Sequence, residues 1–340
     1  MITASTAVRI TPSAAVDPAD WRQLWRDAVT DTGELLAQLG LQHLVGRLPP
    51  ADAGFALRVP RGFVARMRHG DARDPLLLQV LPQLAELEHV PGFVTDAVGD
   101  MAARAAHGVL HKYHGRALLI ASGSCAINCR YCFRRHFPYG EEIAAAGQWR
   151  QALEHLQQDA SISELILSGG DPLALVTAKL EELSRGLAEL PHVTRLRIHT
   201  RLPVVLPERI DASLLAWFDA LPLQKVLVLH ANHANEIDAG VDAACRRLRD
   251  AGVTLLNQSV LLRGINDDAD TLAGLSERLF AAGVLPYYLH QLDRVQGTAH
   301  FEVDDAHALA LIEALRQRLP GYLVPKLVRE VGGEAAKRPL

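Results

Sequence analysis

Three of the four cysteines of this 340-residue chain, Cys125, Cys129 and Cys132, fall in Ser122-Gly-Ser-Cys-Ala-Ile-Asn-Cys-Arg-Tyr-Cys-Phe-Arg-Arg-His136. The C-x3-C-x2-C spacing lets one loop turn three thiolates toward a common point. That is enough to hold three irons of a 4Fe–4S cluster and leaves the fourth iron open. Clusters that only carry electrons take four cysteines, so an open iron points to a small molecule bound there. A structural zinc site is the competing chemistry. It needs a fourth Cys or His, for which His136 is the nearby candidate, and usually a second paired knuckle, which the sequence lacks.

An aromatic residue, Tyr131, precedes the last cysteine, and C-x3-C-x-Φ-C resembles the signature of the radical SAM superfamily. The resemblance implies that S-adenosylmethionine (SAM) binds the open iron through its amino and carboxylate groups. An electron from the cluster would then split SAM and generate a 5′-deoxyadenosyl radical. Ser168-Gly169-Gly170-Asp171 is similar to the Gly-Gly-acid turn that the superfamily uses for the amino group of SAM.

These residues need a frame. Apolar content of 49% lets a chain of this length bury a large core, while a net charge of −4 and a pI near 6.4 give no sign of a nucleic-acid binder or a basic membrane surface. Residues 1–20 lack a basic start followed by an apolar run, and no stretch approaches a bilayer-spanning length, so a cytoplasmic protein is expected. Clustered thiols with an isolated Cys245 make no disulfide framework. Cys245 lies in a helical pattern and reads as a small core residue.

From Arg116 onward, apolar runs alternate with helical patterns. Ala117–Ala121, Glu164–Leu167, Thr194–His199, Lys225–Leu229, Thr254–Leu262 and Leu285–His290 are six strand candidates. Such alternation predicts parallel strands with right-handed crossovers, an α/β fold of the open, partial (β/α)6 TIM type. Its site would lie at the C-terminal strand ends, where the cysteine loop falls. Residues 1–110 read as a helical N-terminal region, with two amphipathic helices from about 18 to 46 and a further helical stretch from Leu57 past Leu78. Residues 111–303 would form the barrel, and 304–340 a final helix and a C-terminal segment. Arg201, His230 and Gln258 sit at or near later strand ends.

Taken together, Arg130-Tyr-Cys-Phe-Arg-Arg135, Ser168-Gly-Gly-Asp171, Asn257-Gln-Ser-Val-Leu-Leu-Arg-Gly-Ile-Asn266, Pro286-Tyr-Tyr288 and Gln291-Leu-Asp293 resemble the lysine 2,3-aminomutase family from about Leu57 to the C-terminus. The resemblance implies an isomerase that uses a 4Fe–4S cluster, SAM and pyridoxal 5′-phosphate (PLP). It carries the SAM contacts onto Tyr131, Ser168, Gly169, Gly170, Asp171, Arg201, His230 and Gln258. The PLP lysine would be Lys337, in Glu330-Val-Gly-Gly-Glu-Ala-Ala-Lys337, with Lys326 as the competing position. Lys112 and Arg116 would take the PLP phosphate, the first standing where the family has Arg. Arg134 would clamp the substrate carboxylate, and Asp293 and Glu330 would face the ε-ammonium of lysine, Glu330 being one methylene longer than the family's Asp.

The free-lysine enzymes continue past the PLP lysine into a tail with zinc-binding cysteines, and no such cysteines follow Lys337 here. The chain therefore resembles the short branch that makes (R)-β-lysine from (S)-α-lysine for elongation factor P. This implies a functional link to that factor and its lysyl ligase, and a reductant such as flavodoxin or ferredoxin. The other readings are a general lysine 2,3-aminomutase feeding another β-lysine pathway and a cluster-binding scaffold without turnover.

Overall fold

The computed structural model describes residues 20–50, 55–147 and 149–340. The first nineteen residues, on which the start of the expected helical region falls, lie outside the described residues. Ten strands pair in chain order: β1 (Arg104–Ala106), β2 (Val109–Tyr113), β3 (Arg116–Ser122), β4 (Glu164–Gly169), β5 (Arg195–Thr200), β6 (Gln224–His230), β7 (Thr254–Val260), β8 (Leu285–His290), β9 (Lys326–Arg329) and β10 (Arg338–Pro339). Pairing is parallel from β3 through β9 and antiparallel at both ends, β1 and β2 leading in and β10 turning back on β9. Among the described residues β10 does not pair with β1, so the sheet curls without closing.

All six expected strands form, each followed by a helix: Arg150–Gln158, Thr177–Leu187, Ala212–Ala220, Ala239–Asp250, Ala269–Ala281 and Asp305–Arg318. This is the partial (β/α)6 barrel. Strand burial shows its logic. In β5, Leu196, Ile198 and Thr200 are buried toward the helices, while Arg195, Arg197 and His199 alternate to the inner face. The last four helices begin at Asp211, Asp238, Asp268 and Asp304, whose carboxylates accept hydrogen bonds from backbone N–H groups of the first turn. Cys245 is fully buried in its helix, and burial pushes its thiol up to about 12.

Three expectations need correction. The boundary drawn at residue 110 falls inside β2, because β1 and β2 form a hairpin turned at Gly108, where a Cβ would stand 2.5 Å from the backbone of Ala144. The helical stretch from Leu57 past Leu78 is only two four-residue helices, Arg61–Val64 and Pro75–Leu78, since Gly70 takes a positive φ of 75° between them and Pro75 starts the second. Beyond the final helix, the C-terminal segment adds β9 and β10 to the sheet and turns at Gly333, with a φ of 83°. Among the described residues no helix is long and apolar enough to cross a membrane.

Candidate active site

The cysteine loop leaves the C-terminal end of β3 and is gripped by the N-terminal region. Backbone bonds run from Arg130 N to Gln79 O at 2.8 Å and from Asn128 N to Arg58 O at 3.0 Å. Glu86 joins Arg130 and Arg135 beneath the loop. Its carboxylate accepts from Arg130 Nε at 2.8 Å and from an Arg135 guanidinium nitrogen at 2.8 Å, and both cations lie over the Phe55 ring. Arg130 and Glu86 are buried, so either would be costly alone.

The three thiols suit a cluster. Burial pushes Cys125 well up and Cys132 to about 11, with neighbouring thiols adding to both, so each thiolate needs a cation to stabilise it. Bound iron supplies that charge.

Beside Cys129 sits a dense polar network. Arg201 NH1 lies 2.7 Å from Cys129 Sγ and 2.8 Å from Tyr131 Oη, and its NH2 donates to Gln79 at 2.6 Å and to Glu236 at 2.9 Å. Tyr131 Oη is 2.9 Å from His230 Nε2, accepts from Asn232 at 2.7 Å, and its ring stacks on His230 at 5.6 Å. Burial, then the Arg201 charge, lowers His230 to about 3, keeping the imidazole neutral. Its register partner on β7 is Gln258, which brings these two expected SAM contacts side by side. Gln79, Asn232 and Glu236 belong to no motif of the sequence and join this network only through the fold.

The Ser168–Asp171 turn departs from its expected part. A Cβ at Gly169 would stand 2.6 Å from Ser122 O, and one at Gly170 2.6 Å from Ser124 O, so these glycines admit the protein's own cysteine loop. Asp171 accepts from Leu173 N at 3.0 Å, Thr200 Oγ1 at 2.7 Å, Arg201 N at 2.8 Å and Leu202 N at 3.1 Å. With both oxygens engaged and the residue buried, Asp171 holds the turn and the start of the Arg201 segment. In this structure its hydrogen bonds are all internal to the protein.

Across the barrel mouth, charged side chains alternate in sign along one continuous chain. Ser168 Oγ accepts from Arg134 NH1 at 2.8 Å, and Arg134 Nε donates to Asp100 Oδ2 at 2.6 Å. Lys112 Nζ lies 2.6 Å from Asp100 Oδ1, an ionic contact off the hydrogen-bond line. The same nitrogen donates to Glu330 Oε1 at 3.1 Å, and Glu330 Oε2 accepts from Lys337 at 2.6 Å. Lys337 Nζ also sits 5.7 Å from the centre of the Tyr288 ring. Burial would raise Glu330, but Lys337 and Lys112 outweigh it and hold the carboxyl far below the usual range. Asp293 goes the other way: burial and the Glu330 charge push it up to about 7 against the pull of Lys337 and Lys112.

Two residues test the fit of PLP. Arg116, inward on β3 beside Tyr113, keeps a buried Nε with no hydrogen-bond partner, as a cation awaiting an anion would. Lys337 is brought to the mouth by its contact with Glu330, whereas Lys326 starts β9 exposed. Lys112 is tied to Asp100 and Glu330 rather than standing free with Arg116 as expected for a phosphate pair.

Three cysteines on the loop after the first parallel strand of an open (β/α)6 barrel define a radical SAM enzyme. A 4Fe-4S single cluster domain matches residues 114–195. L-lysine 2,3-aminomutase of Escherichia coli (strain K12) is 51% identical over 325 residues, 94% of this chain and 94% of that one. The enzyme of the same name from Clostridium subterminale is 32% identical over 96% of this chain and 79% of its own length. A radical SAM methyltransferase from Sphaerobacter thermophilus superposes with a TM-score of 0.49 at 16% identity, over 65% of this chain and 68% of that one. The chain belongs to the lysine 2,3-aminomutase family, isomerases that use a 4Fe–4S cluster, SAM and PLP.

Proposed function

We propose that this protein converts (S)-α-lysine to (R)-β-lysine, moving the amino group from the α to the β carbon. The observation that carries this reading is the charge chain across the mouth. A cation, Arg134, stands toward one end and the carboxylate Glu330 toward the other beside Lys337, with Asp293 near enough to feel the Glu330 charge, a polarity that suits a substrate with a carboxylate and a distant ammonium.

Cys125, Cys129 and Cys132 would hold the cluster. Tyr131, His230, Gln258, Arg201 and the backbone of Ser168–Gly170 would line the SAM side. Arg116 and Lys112 would face the PLP phosphate, and Lys337 would hold PLP covalently. When bound, PLP supplies a carbonyl that takes a substrate amine and a ring that spreads an adjacent unpaired electron, and the cluster with SAM supplies hydrogen-atom abstraction. The protein's own share is to place and neutralise. Arg134 fixes the carboxylate end, Asp293 and Glu330 offset desolvation of the ε-ammonium, and the neutral His230 adds no competing charge.

We further assign the product to attachment on elongation factor P through its lysyl ligase, in the cytoplasm, with flavodoxin or ferredoxin as reductant. Support comes from the resemblance of the sequence to the short branch of the family. Anaerobic incubation of wild-type protein with lysine, SAM, PLP and a strong reductant tests the chemistry. Transfer of the product to the factor by the ligase tests its destination, and β-lysine that the ligase refuses would place the enzyme in another β-lysine pathway.

A further inference from the structure

We propose that Asp100 is a positioning residue for the substrate, aiming the Arg134 guanidinium and tying it to the segment that carries Lys337. The inference rests on the reading of Arg134 as the carboxylate clamp. Asp100 is 1% exposed, and its two oxygens face two different cations, Arg134 through Oδ2 and Lys112 through Oδ1, each at 2.6 Å. A carboxylate that only balanced charge could do so with one of them.

The Arg134 contacts show what is being set. Nε donates to Asp100 and NH1 to Ser168, and neither contact uses NH2. A guanidinium pinned through Nε and NH1 cannot rotate, so its remaining N–H edge keeps one direction, as bidentate capture of a carboxylate requires. Without the Nε contact the long side chain regains rotamers, and a ligand must fix them on binding.

The loop bearing Asp100 is itself built for this. Asp96 accepts from Asp100 N at 2.9 Å and from Met101 N at 3.0 Å, holding the turn. Val98 O accepts from Lys112 at 2.9 Å. The same loop lies against the C-terminal turn, since a Cβ at Gly332 would stand 3.5 Å from Val98 O and 3.6 Å from Gly99 Cα. Asp100 thus joins the residue for one end of the substrate to the segment whose Glu330 and Lys337 serve the other.

The test is calorimetric titration of lysine into holoprotein carrying cluster and PLP, without SAM, so that binding is read and no turnover occurs. Arg134→Lys comes first. If it binds lysine like wild type, the clamp reading has failed, and this inference with it. If it weakens binding, Asp100→Asn should weaken it tenfold or more, and the double variant should be no more than about threefold weaker than the worse single one, because both act through one contact. Should Asp100→Asn not fold, Asp100→Glu carries the same comparison, with at least a threefold loss that is likewise non-additive. A merely structural carboxylate would lower the unfolding midpoint and leave lysine affinity alone. Wild-type affinity in the Asp100 variants, or losses that add fully to those of Arg134→Lys, would overturn the proposal.

Discussion

Lys337 Nζ lies 2.6 Å from Glu330 Oε2, while the other oxygen of that carboxylate accepts from Lys112 at 3.1 Å. One acid therefore holds the C-terminal lysine against the barrel wall, and it is the acid that the family resemblance offers to the substrate ammonium. Glu330, just past the end of β9, thus bridges two lysines. Substrate binding must compete with one of these pairs.

The first prediction follows from that bridge. Glu330→Gln leaves Lys112 and Lys337 as like charges without their shared partner. The pair is partly screened, with side chains 16–20% exposed, so the loss in stability should be about 1–2 kcal/mol rather than the larger cost of a fully buried pair. Chemical unfolding of wild type and variant measures it, and an unchanged midpoint would mean that the bridge contributes nothing.

Lysine labelling addresses the PLP position separately. Borohydride reduction of protein carrying PLP should fix the cofactor on the peptide containing Lys337. Label on Lys326 would contradict the placement of that residue as the exposed start of β9.

Glu236 gives a sharper structural test. It is fully buried and is the carboxylate partner of Arg201, which also contacts Cys129. Glu236→Leu should destabilise the protein by about 3–5 kcal/mol, since a buried guanidinium loses its counter-charge. Iron retained per chain after reconstitution should fall with it. Wild-type iron content in a folded variant would separate the Arg201 network from the cluster.

For pH dependence, the sign follows from Asp293, which burial and Glu330 push up to about 7. It must be ionised to hold an ammonium, so KM for lysine should fall as pH rises through about 7 and level off above it. Stability runs the opposite way. With the folded pKa above the unfolded one, Asp293 contributes stability at low pH that is lost as pH rises through about 7. Asp293→Asn should remove this KM transition and lower lysine turnover by roughly two to three orders of magnitude. A KM profile with the same step in the variant would assign the titration to another group.

Much of this architecture was legible because it is local. The six barrel strands are apolar runs bounded by turns, and the cysteine spacing needs only one loop. What escaped was non-local or short. Strand β9 is four residues long, too few for a period to show, and β1 and β2 are a hairpin whose glycine contacts Ala144 across the chain. Asp100 and Gln79 come from irregular segments of the N-terminal region and Glu236 from a short 3₁₀ turn after β6, and none of them belongs to a motif. Asp171 shows the reverse, a motif residue whose carboxylate folding assigns to the backbone.

Cluster assembly is checked by reconstitution. Wild-type protein should carry about four irons and four sulfides per chain, and Ala at Cys125, Cys129 or Cys132 should abolish SAM cleavage while Cys245→Ala leaves it nearly intact. One zinc without sulfide would contradict the cluster.

The central claim, that opposite charges at the two ends of the mouth select lysine, is tested most directly by substrate competition. Wild-type protein with SAM, PLP and a strong reductant, kept anaerobic, should convert (S)-α-lysine to β-lysine and leave glutamate untouched, because a γ-carboxylate would meet Glu330 and Asp293 as like charge. Turnover of glutamate at a rate comparable to lysine would contradict it.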